Sequence, residues 1–140
     1  MPVFFGSWAH KGPGHIYKIS RINDRILIMN EHELKLATEP FEAIVSGKKT
    51  IESRLFDEKR QAIQIGDIVV FTNRENFAQS IKVKVIGLLR YSTFSDLFNH
   101  NDPAKFGGES ADWLLHQINE FYSLEAQKQY GVVGIEFVLL

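Results

Sequence analysis

A chain of 140 residues, 44% apolar and 24% charged, suits one globular domain with a core of useful size. It has no cysteine, which excludes disulfides, thiolate metal sites and cysteine nucleophiles, and it agrees with a reducing, cytoplasmic setting. The net charge is −1 and no apolar run approaches the ~20 residues that span a bilayer, so neither a uniformly basic nucleic-acid binder nor a helical membrane protein is indicated.

Residues 1–28 hold no sustained period, because Gly6, Gly12, Pro13 and Gly14 interrupt it. Only Arg25–Ile28 reads there as a short strand. Met29 opens a segment that looks like a natural start. Residues 1–28 are therefore expected to be an extension outside the core fold, with residues 29–140 as the domain.

Glu33–Ala37 reads as a short strand with Leu34 and Leu36 on one face. Thr38 is expected to cap a two-turn helix, with Pro40 in its first turn and Gly47 ending it. Lys49–Phe56 reads as a strand. Period two sets Thr50, Glu52, Arg54 and Phe56 on one face, and Lys49, Ile51, Ser53 and Leu55 on the other. Asp57–Arg60 is a charged turn, Gly66-Asp67 a second turn, and Ile68–Phe71 a buried strand. Asn73–Gln79 is a loop. Ile81, Val83 and Val85 alternate with Lys82 and Lys84 as a half-exposed strand, and Gly87 marks a bulge. Thr93, with Asp96 three residues on, caps a short helix. Asn101–Gly108 is a loop, Ser110 and Ser123 cap two further helices, and Val132–Leu140 is an apolar, central strand. Short turns between strands favour antiparallel pairing, so the fold class is α+β: a small curled sheet or barrel with short helices at its rim.

No phosphate-binding P-loop, dinucleotide fingerprint or nucleophile elbow is present. The histidines at 10, 15, 32, 100 and 116 lack metal-ligand spacing and read as surface residues. No cofactor and no metal is expected. Charge is unevenly spread: residues 48–90 hold nine Lys/Arg against five Asp/Glu, and residues 91–140 hold two against seven. The first stretch is the one suited to phosphate.

The densest chemistry lies in Gly47-Lys48-Lys49-Thr50-Ile51-Glu52-Ser53-Arg54. A helix-ending glycine is followed by two lysines, then by a carboxylate and a guanidinium two apart on one strand face. Arg54 has two readings from its chemistry alone. It either binds phosphate through its fork or pairs with Glu52 as a surface cross-link worth well under ~1 kcal/mol.

Gly47-x-Lys49-x-x-Glu52-x-Arg54 resembles the G-x-K-x-x-E-x-R motif of the ASCH domains (activating signal cointegrator homology), members of the PUA-like superfamily. The flanks are similar too: Leu34-Lys35-Leu36 and Glu39-Pro40-Phe41 before the motif, and Asp57–Arg60, Gly66-Asp67 and Phe71-Thr72-Asn73 after it. The closing Tyr130–Ile135 looks like the family's last strand. The resemblance covers roughly residues 30–140. It implies a small closed β-barrel with helices across a cleft, and binding of RNA or a nucleoside beside the motif. Lys49, Glu52 and Arg54 are then the cleft residues. Lys48, Lys59 and Arg60 join them as nucleic-acid-binding candidates by charge and nearness.

One family branch hydrolyses acetylcytidine, with a threonine nucleophile at the position of Glu52 and the motif lysine activating it. Glutamate cannot repeat that chemistry. A hydrolase reading, on a modified nucleoside or an RNA phosphodiester, therefore makes Lys49 and Glu52 the catalytic pair, with Glu52 as base. Strand parity opposes this reading unless Lys49 lies before the regular pleat or across a bulge. A third reading is a protein-interaction domain using the acidic C-terminal helices.

Overall fold

The computed structural model describes the backbone of residues 5–10, 16–22 and 25–140, with side chains from residue 30 onward. Seven strands make one sheet: β1 (Phe5–His10), β2 (Ile16–Ile22), β3 (Arg25–Leu36), β4 (Ile51–Leu55), β5 (Ile68–Asn73), β6 (Ser80–Tyr91) and β7 (Val132–Leu139). Their order is β1-β2-β3-β5-β6-β7-β4, and among the described residues only the β3–β5 pair is parallel. Five short helices complete it: α1 (Thr38–Val45), α2 (Glu58–Gln61), α3 (Phe94–Asn99), α4 (Ala111–Ile118) and α5 (Leu124–Tyr130). The architecture is α+β, and the five strands from β3 to β4 curl into a half-barrel. None of the described helices is long and apolar enough to cross a membrane.

The two short strands expected at 25–28 and 33–37 are one strand of 12 residues. Its halves have different neighbours. Residues 16–22 of β2 pair with residues 25–31, whereas β5 pairs with residues 31–36, so the two ladders meet at Glu31. The β1–β2 hairpin thus leans on the half of β3 that the barrel does not use. Residues 1–4, 11–15 and 23–24 of the expected extension lie outside the described residues. A chain beginning at Met29 keeps every residue of the β3–β5 ladder, and is expected to melt in one cooperative transition within a few degrees of the full chain. Loss of cooperativity in calorimetry would make residues 1–28 part of the folding unit.

Two apolar clusters flank the curled sheet. Leu34, Leu36, Val69, Phe71, Val83, Val85, Val133, Ile135 and Phe137 fill its concave side, with Phe41 and Ile44 of α1 as a lid. Ile51, Val132, Phe94, Leu97, Phe98, Phe106 and Leu114 form the second cluster, beneath α3, α4 and a 3-10 turn at Pro103–Phe106. Strands β4 and β7 are sandwiched between the two. Hence β7 is apolar on both faces, and Ile51, Glu52 and Ser53 are all buried in succession. The expected bulge near Gly87 is present as a register shift between Val85 and Gly87. Thr93, Ser110 and Ser123 each accept a backbone N–H as helix caps.

Thr38 does not cap α1. Ala37 takes that position without a side-chain bond, and Thr38 is the first helical residue. Its hydroxyl donates instead to Asn73 Oδ1, and its N–H is received by Glu75 Oε1, so the β5–β6 loop performs the capping from a distance. Asp57–Arg60 is more than a turn, since Asp57 caps the single-turn α2 by accepting from Arg60 N.

Candidate nucleic-acid interface

Gly47 ends α1 at φ 81°, a left-handed conformation that glycine adopts without a steric penalty. The chain then doubles back. Lys49 N donates to Ala43 O of the helix it has just left, and Thr50 N donates to Lys105 O of the 3-10 turn. Regular strand begins only at Ile51. Lys49 therefore precedes the pleat, and the parity objection to its meeting Glu52 does not apply. Its aliphatic stem lies against Gly107, where a Cβ would stand 3.5 Å from the lysine Cβ and Cδ.

From there Lys49 Nζ reaches Glu52 Oε1 at 2.8 Å, while Arg54 Nε donates to Glu52 Oε2 at 2.8 Å. The same guanidinium donates through Nη2 to Lys35 O on β3, also at 2.8 Å. There is no β3–β4 ladder among the described residues. The barrel seam expected to be closed is instead bridged by one arginine side chain, since the curl brings β4 within side-chain reach of β3 but not within hydrogen-bonding reach of its backbone.

This is not a surface cross-link. The side chains of Lys49, Glu52 and Arg54 are 12%, 6% and 13% exposed. Burial alone would raise the Glu52 pKa, and it is the largest single influence. The charges of Lys49 and Arg54, with the hydrogen bonds both donate, together outweigh it and bring the value down to about 2. Burial likewise opposes the charge on Arg54, yet Glu52 raises its pKa on balance. The triad is thus two cations held by one carboxylate that is ionised at neutral pH, with a net charge of +1. Remaining N–H groups on Lys49 Nζ and at Arg54 Nη1 have no further partner among the described residues. Such an arrangement offers fixed donors to a phosphate or carbonyl oxygen, and beside them a fixed acceptor.

A family model for the ASCH domain matches residues 34–140. The chain belongs to the ASCH domain family. The crystal structure of hypothetical protein PH0355 is similar to it, with a TM-score of 0.70 and 37% identity over 79% of this chain and 99% of that one. The solution structure of protein PF0455 from Pyrococcus furiosus matches with a TM-score of 0.63 and 34% identity, covering 79% of this chain and 97% of that one. A mutant ZmASCH protein from Zymomonas mobilis gives a TM-score of 0.50 at 18% identity, over 77% of this chain and 67% of that one, a likeness of fold alone. No curated protein matches the sequence significantly.

Within this ASCH domain the remaining site candidates separate. Lys48 is exposed and joins none of the ion pairs among the described residues. Lys59 is exposed too. What burial it has, and then the charges of Arg60 and Arg54, lower its pKa, which places it within electrostatic range of the triad. Arg60 is engaged elsewhere: its Nη1 contacts both oxygens of Asp57, at 3.3 and 3.1 Å, and its Nε is buried without a hydrogen-bond partner among the described residues.

The ASCH motif gave no hint of Lys35 O, Lys105 O or Gly107, because two are backbone carbonyls and the third is a space. Nor did sequence spacing find His32. It is 3% exposed rather than at the surface, because it alternates with Leu34 and Leu36 on the inner face of β3. Asp67 Oδ2 lies 2.8 Å from its Nε2 and also accepts Gln64 N, tying β3 to the turn before β5.

Proposed function

We propose that this ASCH domain binds RNA, or a nucleoside derived from it, at the Lys49–Glu52–Arg54 triad. The observation that carries the reading is Glu52, clamped at 2.8 Å by both cations and ionised down to a pKa of about 2. Such a carboxylate is a fixed hydrogen-bond acceptor. It also holds two donors in one orientation, so they need not be ordered when ligand arrives. Lys48 and Lys59 add positive potential at the flanks and raise the encounter rate with a polyanion. Arg60, committed to Asp57, contributes field more than contact.

The hydrolase alternative asks Glu52 to take a proton, and a carboxylate of that pKa is a weak base at neutral pH. Lys49 and Glu52 are accordingly assigned to binding. Fluorescence anisotropy with a labelled single-stranded RNA, repeated from 50 to 300 mM salt, tests this. Lys49→Ala is expected to weaken binding several-fold and to lower the slope of log K against log salt by about 0.7, the value of one phosphate contact on a single strand. Binding indifferent to Lys49 would remove the triad from the interface. Loss of acetyl from an acetylcytidine RNA, seen by intact mass and abolished in Glu52→Gln, would restore the hydrolase.

A further inference from the structure

A second basic surface adjoins the triad. At the opposite end of β7 from its C-terminus, a groove of ≈ 620 Å³ runs between the end of β6 and the α5–β7 junction. Arg90, Tyr91, Thr93, Lys128, Tyr130 and Gly131 line it, and no carboxylate does. Neither Arg90 nor Lys128 takes part in an ion pair among the described residues. Two cationic residues therefore line the groove with no acidic side chain among its lining residues.

The groove is joined to the triad by the sheet itself. Arg54 and Arg90 both stand opposite Val133, one on each side of β7, so they are abreast across three strands. Two strand spacings set them about 10 Å apart on one face of the sheet. Arg90 is also held in place. Its guanidinium carbon lies 3.7 Å from the centre of the Phe56 ring, on the strand face that carries Glu52 and Arg54. Stacking fixes the plane of the guanidinium and leaves its N–H edge available to an anion. Phe56 N donates to Gly131 O, which pins the floor of the groove to the end of β4.

Resting on the RNA reading of the triad, we propose that this groove is a second nucleic-acid subsite. There Arg90 and Lys128 each meet a phosphate of the nucleotides neighbouring the one at Lys49 and Arg54. Its place beside the triad suits the continuation of a nucleotide strand better than an acidic peptide, and Tyr130 at its wall can also meet a base, Tyr91 being stacked on His100.

The test compares two probes on the full chain: a labelled single-stranded RNA hexamer of mixed sequence, and a nucleoside monophosphate too short to reach both subsites. Arg90→Ala/Lys128→Ala is expected to weaken hexamer binding about tenfold. It should lower the salt slope by about 1.4, two contacts' worth, and leave mononucleotide affinity within twofold. Lys128→Ala alone, at an exposed helix position where folding is not at stake, should lower the slope by about 0.7. Hexamer binding unchanged in both variants would overturn the subsite while leaving the triad reading intact. Equal loss for both probes would overturn it as a separate subsite. Displacement of the hexamer by polyglutamate at equal charge concentration would assign the groove to an acidic protein instead. A wild-type chain that binds neither probe would overturn both readings together.

Discussion

Glu52→Gln is expected to remove the acid sensitivity that this carboxylate gives the folded state, at a cost of about 3 kcal/mol at pH 7. Glu52 is ionised in the fold down to a pKa of about 2, against an ordinary value of 4.5. The interval between those values corresponds to about 3 kcal/mol. Because the folded value is the lower one, this stabilisation is complete above pH 4.5. It is lost as pH falls from 4.5 through 2. Glutamine keeps the shape but not the charge, so the two proteins should differ most at neutral pH and converge near pH 2. Thermal midpoints at pH 7 should differ by roughly 10 °C. Glu52→Ala is harsher, because it leaves Lys49 and Arg54 buried side by side with no counter-charge, a defect that typically costs about 3–5 kcal/mol. Urea titrations from pH 7 to pH 2 check this. A gap between wild type and Glu52→Gln that is the same at every pH would show that the carboxylate is not ionised by its neighbours.

The second large effect belongs to Arg54→Lys, which preserves charge and removes geometry. Arg54 serves two acceptors on different strands, Glu52 Oε2 and Lys35 O, each at 2.8 Å. An ammonium has one nitrogen and cannot span both. Either the Lys35 carbonyl or the Glu52 oxygen then loses its donor, costing about 1–3 kcal/mol and loosening the β3–β4 seam. For RNA the same change separates charge from orientation. Affinity is expected to fall about tenfold while the salt slope stays close to that of wild type, since the number of cations is unchanged. Lys49→Ala should show the converse, a milder loss with a shallower slope. If Arg54→Lys binds RNA like wild type and melts like wild type, the guanidinium fork has no role in either.

What the sequence made legible follows from how local each cause is. The caps at Thr93, Ser110 and Ser123, the bulge beside Gly87 and the apolar run of β7 are set by residues within a few positions, and each stands where local chemistry puts it. Glu52 and Arg54 sharing a face follows from strand period alone. What escaped was set by distant chain. Thr38 has the chemistry of a cap, yet Asn73 and Glu75 from another loop decide its bonds. His32 looks like a polar surface residue until Asp67 arrives from 35 positions away. Lys49 looks out of phase with Glu52 because strand was expected to begin two residues early. Only the bond from Thr50 N to Lys105 O shows why it begins at Ile51. The triad's members were thus readable from the motif, but its burial needed both apolar clusters to be in place, and the ionisation of Glu52 against that burial needed Lys49 and Arg54 brought to within 2.8 Å of it.

Whether ligand meets the domain at the triad can be read residue by residue from nuclear magnetic resonance of the ¹⁵N-labelled chain titrated with a short single-stranded RNA. Saturable shifts are expected at residues 49–56, with the side-chain Nε–H of Arg54 among the largest. Weaker shifts are expected at Lys59 and Arg90. Saturable shifts that leave the Arg54 Nε–H untouched and gather instead on α4 and α5 would contradict binding at the triad.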